Sequence, residues 1–275
     1  MIILNTCTAL NEWRKEYSLK SIGFVPTMGA LHEGHLSLCN RAKEHNDSVI
    51  ASIFVNPTQF APHEDFDAYP RMLEKDAEKL EQIGVNAIWA PTPEIMYPEG
   101  FKTSVHVDGM TQTLEGAFRP THFDGVTTVV AKLFGQVRPT RAYFGEKDYQ
   151  QLQIIRRMTT DLNINTDVIG CPIVRDAQGL ALSSRNAYLS DAEIEIARQL
   201  NQILKGAKER FEIDSITQLE KELEQAILDV GFDKVDYVAI RNAHSLAEVV
   251  SENEELRILA AATINKTRLI DNMPL

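Results

Sequence analysis

Two short apolar runs with a helix-like run between them do most to limit how this chain can fold. Ile22–Val25 and Ser48–Val55 are rich in branched residues, and the stretch from Leu36 to about His45 carries Leu36, Leu38 and Ala42 at helical spacing. Continuous apolar runs of this length read as strands buried on both faces. Strands joined through a helix pair in parallel, normally by a right-handed crossover. The turn leaving the first strand reads Pro26-Thr27-Met28-Gly29-Ala30-Leu31-His32-Glu33-Gly34-His35. A glycine-containing turn between a strand and a helix suits an anion such as phosphate, because helix-end amides and the helix dipole face it. His32 and His35, three apart, can share one face of the first helical turn.

The alternation continues. Met72, Leu73, Ala77, Leu80 and Ile83 form an apolar helical stripe ended by Gly84, and Val85–Ala90 reads as a strand stopped by Pro91 and Pro93. Val126, Val129, Val130, Leu133, Phe134 and Val137 make another helical face, followed by a short strand at Arg141–Phe144 and a glycine turn. Leu152, Ile155, Met158, Thr159 and Leu162 predict a helix, and Thr166–Ile169 a strand. This βαβ rhythm predicts the α/β class, a parallel sheet covered by helices. Ligand-binding loops in such sheets lie beyond the strands' carboxyl ends, near a change in strand order. The irregular stretch from Pro91 to Thr121 reads equally as an active-site wall or a connector.

A second, smaller α+β unit is expected from near Asp176, dividing the chain into 1–175 and 176–275. Ser190-Asp191-Ala192-Glu193 has the form of a capping box, and Ile194, Ala197, Leu200, Leu204 and Ala207 follow it at helical spacing. Ile216, Leu219, Leu223, Ala226 and Ile227 predict another helix, while Val235–Ile240 and Leu256–Ala262 read as strands.

With 28 Lys and Arg against 39 Asp and Glu, the formal charge is −11, which argues against a general nucleic-acid binder. A local basic pocket remains open, from Arg138, Arg141 and Lys147 or from Arg175 and Arg185. Cys7, Cys39 and Cys171 have neither metal-ligand nor disulfide-framework spacing and are expected to be free, buried thiols. No signal-peptide pattern opens the sequence, and no run approaches the roughly 20 apolar residues of a membrane span. A cytoplasmic protein without membrane partners is expected. Neither a P-loop nor Gly-x-Gly-x-x-Gly occurs, and the histidines of His-Glu-Gly-His stand three apart rather than at metalloprotease spacing.

The run from Pro26 to His35 resembles the nucleotide-binding signature of the pantothenate synthetase (pantoate–beta-alanine ligase) family, within the nucleotidylyltransferase-like adenylating enzymes. Three further blocks follow in the family's order and spacing: Phe54-Val55-Asn56-Pro57-Thr58-Gln59-Phe60, Phe144-Gly145-Glu146-Lys147-Asp148-Tyr149-Gln150-Gln151-Leu152, and Leu182-Ser183-Ser184-Arg185-Asn186. The resemblance covers essentially the full chain. It implies a Rossmann-like nucleotide-binding domain and a smaller closing domain. It also implies ATP-dependent joining of (R)-pantoate to beta-alanine through a pantoyl adenylate, with Mg2+ and a homodimer.

The resemblance carries roles onto individual residues. His32 and His35 contact ATP phosphates, and Lys147 follows the charge onto the departing diphosphate. Ser183, Ser184 and Arg185 close over the phosphates, and Leu182 stands where some members have methionine. Pro26, Thr27, Met28, Gly34, Gly145, Asp148 and Val174 complete the ATP site. Gln59 and Gln151 are the expected pantoate pair, since an amide orients hydroxyl and carboxylate groups without adding formal charge. Asp76 is a candidate metal-linked carboxylate that fits the polar face of its helix equally well. Two rival classes stay open: a related nucleotidylyltransferase acting on a phosphate or nucleotide, and a catalytically silent ATP-binding protein.

Overall fold

Ile22, Phe24 and Val25 have no exposed surface, and the strand they form is the one on which the first sheet is built. The computed structural model describes residues 1–61, 66–212, 215–251 and 253–275. In order, the chain forms β1 (Ile2–Leu4), α1 (Cys7–Glu16), β2 (Ile22–Thr27), α2 (Glu33–His45), β3 (Ser48–Ile53), α3 (Leu73–Gln82) and β4 (Ala87–Trp89). Then come α4 (Pro93–Met96), α5 (Glu115–Phe118), α6 (His122–Val137), β5 (Arg141–Gly145), α7 (Tyr149–Asp161) and β6 (Asp167–Cys171). The remainder is α8 (Asp191–Arg210), α9 (Ile216–Asp229), β7 (Lys234–Asn242), β8 (Leu256–Ile264) and β9 (Thr267–Pro274).

The first six strands make a parallel sheet in the order β1-β4-β3-β2-β5-β6. From β2 the chain builds outward through β3 and β4, then returns to lay β5 and β6 on the other side. The change of strand order that the sequence left unplaced therefore lies between β2 and β5. These two strands pair only at Gly23↔Arg141 and Phe24↔Ala142, although β2 runs on to Thr27 and β5 to Gly145. By contrast β2 stays paired with β3 from Ile22 to Thr27. The two central strands thus part at their carboxyl ends and leave a crevice.

Both faces of the sheet are covered, which is why its strands read as unbroken apolar runs. Ile22, Phe24, Ile50, Ala142 and Phe144 pack with α1, α6 and α7, whereas Val25, Val49, Ala51, Ile88 and Tyr143 pack with α2 and α3. The second sheet is antiparallel, β7-β8-β9. It shares a core with α8 and α9, and Ala239, Leu246 and Leu259 join the core of the first sheet. The capping box at Ser190 forms, with its hydroxyl accepting from Glu193 N and the Glu193 carboxylate accepting from Ser190 N at 2.7 Å.

Several expectations need correction. The helix expected from Leu36 starts at Glu33, and that expected from Val126 starts at His122. The strand at Val85–Ala90 is shorter, Ala87–Trp89. β1, α1 and β9 were not anticipated. β1 has only three residues, with Ile2 49% and Ile3 41% exposed. β9 hides its pattern because two of its buried positions are Asp271 and Asn272. Cys39 and Cys171 are buried and free as expected, but Cys7 is exposed.

The two sheets are tied by a partly buried charge cluster. The Arg268 guanidinium on β9 meets both oxygens of Glu115 on α5, at 2.6 and 2.8 Å, and its Nε donates to Asp236 at 2.6 Å. The Tyr237 hydroxyl donates to the same Glu115 carboxylate at 2.8 Å. Removing the arginine leaves the Glu115 carboxylate with only the Tyr237 hydroxyl and Asp236 with only Lys234 in a poorly solvated place. Arg268→Ala is expected to destabilise the chain by roughly 3 kcal/mol, and Arg268→Lys to recover only part because lysine lacks the fork. Urea unfolding of the three proteins checks this.

Candidate active site

The crevice between β2 and β5 opens into a cavity of about 210 Å³. One wall is apolar and comes from a single helix face. Val126, Val129, Val130 and Leu133 of α6 line it, at the spacing that puts residues on one side of a helix. Phe54 and Phe144 complete that wall. The polar lining brings together Gln59, Gln151, His35, Arg119, His122 and Arg185, with Pro26, Thr27 and Met28 at the end of β2. The two glutamines expected to act as a pair therefore face one cavity. A larger adjoining cleft of about 730 Å³ is lined by Lys147, Asp148, Ser183 and Arg185 together with residues of β9.

Gln59 is held by a buried network. Asn56, 1% exposed, donates to the Gln59 side-chain oxygen at 3.1 Å and to Gly125 O at 3.2 Å, and accepts from the Tyr97 hydroxyl at 2.7 Å. This leaves the Gln59 amide nitrogen as the group available to a ligand oxygen. α6 approaches so closely here that a Cβ on Gly125 would lie 2.4 Å from Thr58 O. Only glycine lets the apolar wall and the Gln59 turn sit this near each other. His122 Nδ1 lies 2.9 Å from Gln59 O and its Nε2 lies 3.1 Å from an Arg119 nitrogen. With Nδ1–H donating to the carbonyl, Nε2 accepts from the guanidinium.

Arg119, His122 and Asn56 were missed in reading the sequence. The ambiguous stretch ending at Thr121 turns out to supply part of the cavity wall. Arg119 and His122 stand three apart, and His122 opens a helix that apolar periodicity placed four residues too late. That pairing was the available signal.

The turn after β2 is clamped from α3. Asp76 is fully buried, and its two oxygens accept from Ala30 N and Leu31 N, both at 2.8 Å. Lys79, one turn on, donates to Leu31 O at 2.6 Å. Both Asp76 oxygens are thus engaged by amides, and the side chain braces the backbone leading into His32. Among the described residues no group of three or more His, Cys, Asp or Glu side chains could hold a metal ion.

His32 is the N-cap of α2, its Nδ1 accepting from Gly34 N at 3.1 Å, and His35 Nδ1 accepts from His32 N at 3.4 Å. The two rings lie 4.1 Å apart. Gly34 fits because any Cβ there would sit 2.8 Å from the His32 ring. Burial, then the positive charges of Lys147 and Lys79, pushes the His32 pKa down to about 4. Burial, then His32 itself, pushes His35 down to about 3. Both rings are therefore neutral near pH 7. Since Nδ1 accepts in each, the proton sits on Nε2, which makes Nε2–H the donor each ring has left.

The remaining expected residues fall into place unevenly. Leu182 N donates to Val174 O at 2.9 Å, closing a hairpin in which Arg175 pairs with Ala181. The Leu182 side chain reaches within 4.0 Å of where a Gly34 Cβ would be, so this hairpin lies against the histidine turn. Ser183 caps the 3-10 helix Ser184–Tyr188 and accepts from Arg185 N. Ser183 and Arg185 line the cleft, whereas Ser184 and Gly145 line neither cavity. Asp148 precedes α7 without making a side-chain cap hydrogen bond. The basic residues divide. Lys147 and Arg185 share the cleft, but Arg141 lies at the amino end of β5, bonded to His45 O. Arg175 is paired with Asp271.

The profile of the family described as Pantoate-beta-alanine ligase matches residues 2–274. This chain belongs to that family. It is 54% identical over 256 residues to the pantothenate synthetase of Sphingopyxis alaskensis, covering 93% of this chain and 92% of the relative. It is 47% identical to that of Caldicellulosiruptor bescii, covering 99% and 98%. Among solved structures, pantothenate synthetase from Thermus thermophilus superposes with a TM-score of 0.92 at 45% identity, covering 99% of both chains. The Francisella tularensis pantoate-beta-alanine ligase, complexed with beta-gamma ATP and beta-alanine, superposes with a TM-score of 0.84 at 39% identity, covering 100% of this chain and 97% of that one.

The depressed histidines of this ligase-family site have a measurable consequence. In the unfolded chain both rings titrate near pH 6.5, while in the folded chain they take protons only near 4 and 3. Between these values the unfolded state binds more protons, so their contribution to stability is whole above about pH 6.5 and is lost progressively as pH falls below it. Urea unfolding at pH 7 and pH 5 is expected to show a drop that His35→Gln reduces. Proton NMR should find neither ring charged at pH 6.

Proposed function

We propose that this chain joins (R)-pantoate to beta-alanine in two steps within the crevice, consuming ATP and releasing AMP and diphosphate. The observation that carries this reading is the division of the cavity beside His35. An apolar α6 face stands with a glutamine pair in the same small space. Pantoate has this character, with a carboxylate and two hydroxyls on a carbon skeleton bearing two methyl groups. Gln59 and Gln151 orient its oxygens, and Val126, Val129 and Val130 receive the methyls.

In the first step a pantoate carboxylate oxygen attacks the α-phosphorus of ATP, forming the mixed anhydride as the bond to diphosphate breaks. His32 and His35 donate from Nε2 to phosphate oxygens. They do so as neutral rings, so they aim hydrogen bonds without adding formal charge. Lys147 and the Ser183–Arg185 turn supply the positive charge that follows diphosphate out. The amino ends of α2 and α7 face the same region and favour anions. Ser184 belongs to this set through its place in the turn. Pro26, Thr27, Met28, Gly34, Gly145, Val174 and Leu182 shape the ATP site through backbone and packing.

In the second step the beta-alanine amine attacks the acyl carbon, the bond to AMP breaks, and the amine's extra proton leaves to solvent or phosphate. No protein nucleophile is needed, so alignment and charge placement carry the rate. Cys39, near the histidines, is no rival nucleophile, because burial pushes its thiol up to about 12. Mg2+ belongs to the reading as a companion of the nucleotide, held by phosphate oxygens and water. The reading includes a homodimer, as the resemblance implies, which sedimentation of the purified chain checks. Among the described residues no helix is long and apolar enough to cross a membrane.

The test supplies ATP, magnesium and pantoate with and without beta-alanine, and quantifies products by mass. Equal pantothenate and AMP, dependent on both acids, supports the ligase. AMP transfer to a phosphate or nucleotide instead, or ATP binding without turnover, sinks it in favour of a rival class. His35→Ala is expected to slow adenylate formation by roughly 100- to 1,000-fold, the typical loss of one transition-state donor, while folding is retained. Gln151→Ala is expected to raise the pantoate KM by roughly tenfold, as fits one lost hydrogen bond to a charged group. Steady-state kinetics of both variants check these values.

A further inference from the structure

The loop carrying Lys147 and the hairpin leading to Ser183 and Arg185 lie on different elements, yet one dipeptide holds both. Asn272 on β9 is 2% exposed, and its side-chain nitrogen donates to Glu146 O at 3.0 Å and Lys147 O at 2.9 Å. Its side-chain oxygen is oriented by Arg257, whose Nε donates to it at 2.7 Å. Arg257 in turn reaches Glu146 at 3.0 Å and stacks 3.7 Å over the Tyr149 ring. The preceding residue faces the hairpin. Asp271, 4% exposed, receives both terminal nitrogens of Arg175 at 2.7 Å, and its Oδ1 also accepts from Asn272 N. Arg175 donates onward to Gly179 O at 3.0 Å, across the tip of its own hairpin.

We propose that Asp271 and Asn272 are positioning residues for the ATP step, setting the distance between the Lys147 ammonium and the Ser183–Arg185 turn. This rests on the phosphate roles assigned above to Lys147 and Arg185. The physical reason is the kind of bond used. The Lys147 ammonium has no hydrogen-bond or ion-pair partner among the described residues, so where it can reach depends on its backbone, and its backbone carbonyl is held by Asn272. A bidentate arginine–carboxylate pair fixes angle as well as distance. Asn201 Nδ2 also donates to Asp271 Oδ2 at 3.3 Å, so the aspartate is held from a further side. Both arms start from adjacent residues of one strand, so the two charged groups move together if β9 moves.

The test uses the full-length chain and ATP–pyrophosphate exchange with pantoate and without beta-alanine, which reads the first step alone. The variants are Asn272→Ala, Asp271→Asn, Lys147→Ala and the double variant of Asn272→Ala with Lys147→Ala. Circular dichroism and thermal melting report folding. For folded Asn272→Ala and Asp271→Asn, exchange is expected to fall by about tenfold or more with a raised ATP KM, as small misplacement of a charge predicts. The pantoate KM is expected to stay within about twofold, since Gln59 and Gln151 sit on other elements. The double variant is expected to exchange no more slowly than Lys147→Ala alone, because Asn272 acts through that lysine.

Exchange and ATP KM within about twofold of the parent, with Lys147→Ala impaired, would overturn the inference, as would a further large loss in the double variant. If Lys147→Ala itself exchanges normally, the phosphate role of Lys147 fails first and the inference falls with it. Should Asp271→Asn not fold, Arg175→Lys makes the same test, keeping the charge but losing the fork.

Discussion

The parting of β2 from β5 after Phe24 and Ala142 is the constraint on which the rest of this structure depends. On its other side β2 stays paired to its end. Where the strand order reverses, the connections leaving β2 and β5 go to helices on opposite faces of the sheet. The histidine turn leaves from one lip and the Lys147 loop from the other. A crevice between them is a consequence of topology, and the side chains then decide what it can bind.

Those side chains are held with little freedom. Asp76 and Lys79 grip the turn before His32 from α3. Asn56 and Gly125 set Gln59 against α6. Each contact goes to backbone or to an amide, and of the groups so held Gln59 and His35 line the cavity. The histidine pair shows the logic most clearly. Burial and neighbouring lysines keep both rings neutral, and backbone donors fix Nδ1 as the acceptor. A reaction that moves negative charge along a triphosphate uses such fixed donors well, because they need no reorganisation when the charge moves.

The smaller sheet is part of the site's construction. Its β9 strand meets Glu115 through Arg268, the Lys147 loop through Asn272 and the hairpin through Asp271 and Arg175. Polar residues at buried positions are costly unless bonded, and here some of the bonding partners lie outside the second sheet, in the Lys147 loop, in the Arg175 hairpin and at Glu115. The two sheets are therefore joined by directed polar contacts as well as by apolar packing. Directed contacts hold the Lys147 loop and the Arg175 hairpin, both bordering the cleft, to one strand.

Much of this was legible in the sequence where one local signal sufficed. The βαβ order, α2, α8 and its capping box, and the helix face at Val126–Leu133 follow from periodicity, because burial on one face or two writes itself into side-chain spacing. The four ordered blocks singled out His32, His35, Gln59, Lys147, Gln151 and Arg185, of which His35, Gln59, Gln151 and Arg185 line one cavity, and the family comparisons bear out the class of enzyme. What spacing cannot encode is which distant groups become partners. The strand order that opens the crevice and the brace role of Asp76 are properties of three-dimensional contact. So are the places of Arg119 and His122 in the wall, the neutral state of the histidines and the double grip of Asp271 and Asn272. Each depends on burial and on an atom tens of residues away. The sequence by itself determined the elements and the chemistry on offer. Only the tertiary structure decided which of those groups line the cavity and which hold the others in place, since a carboxylate or amide takes its role from whatever shares its low-dielectric surroundings.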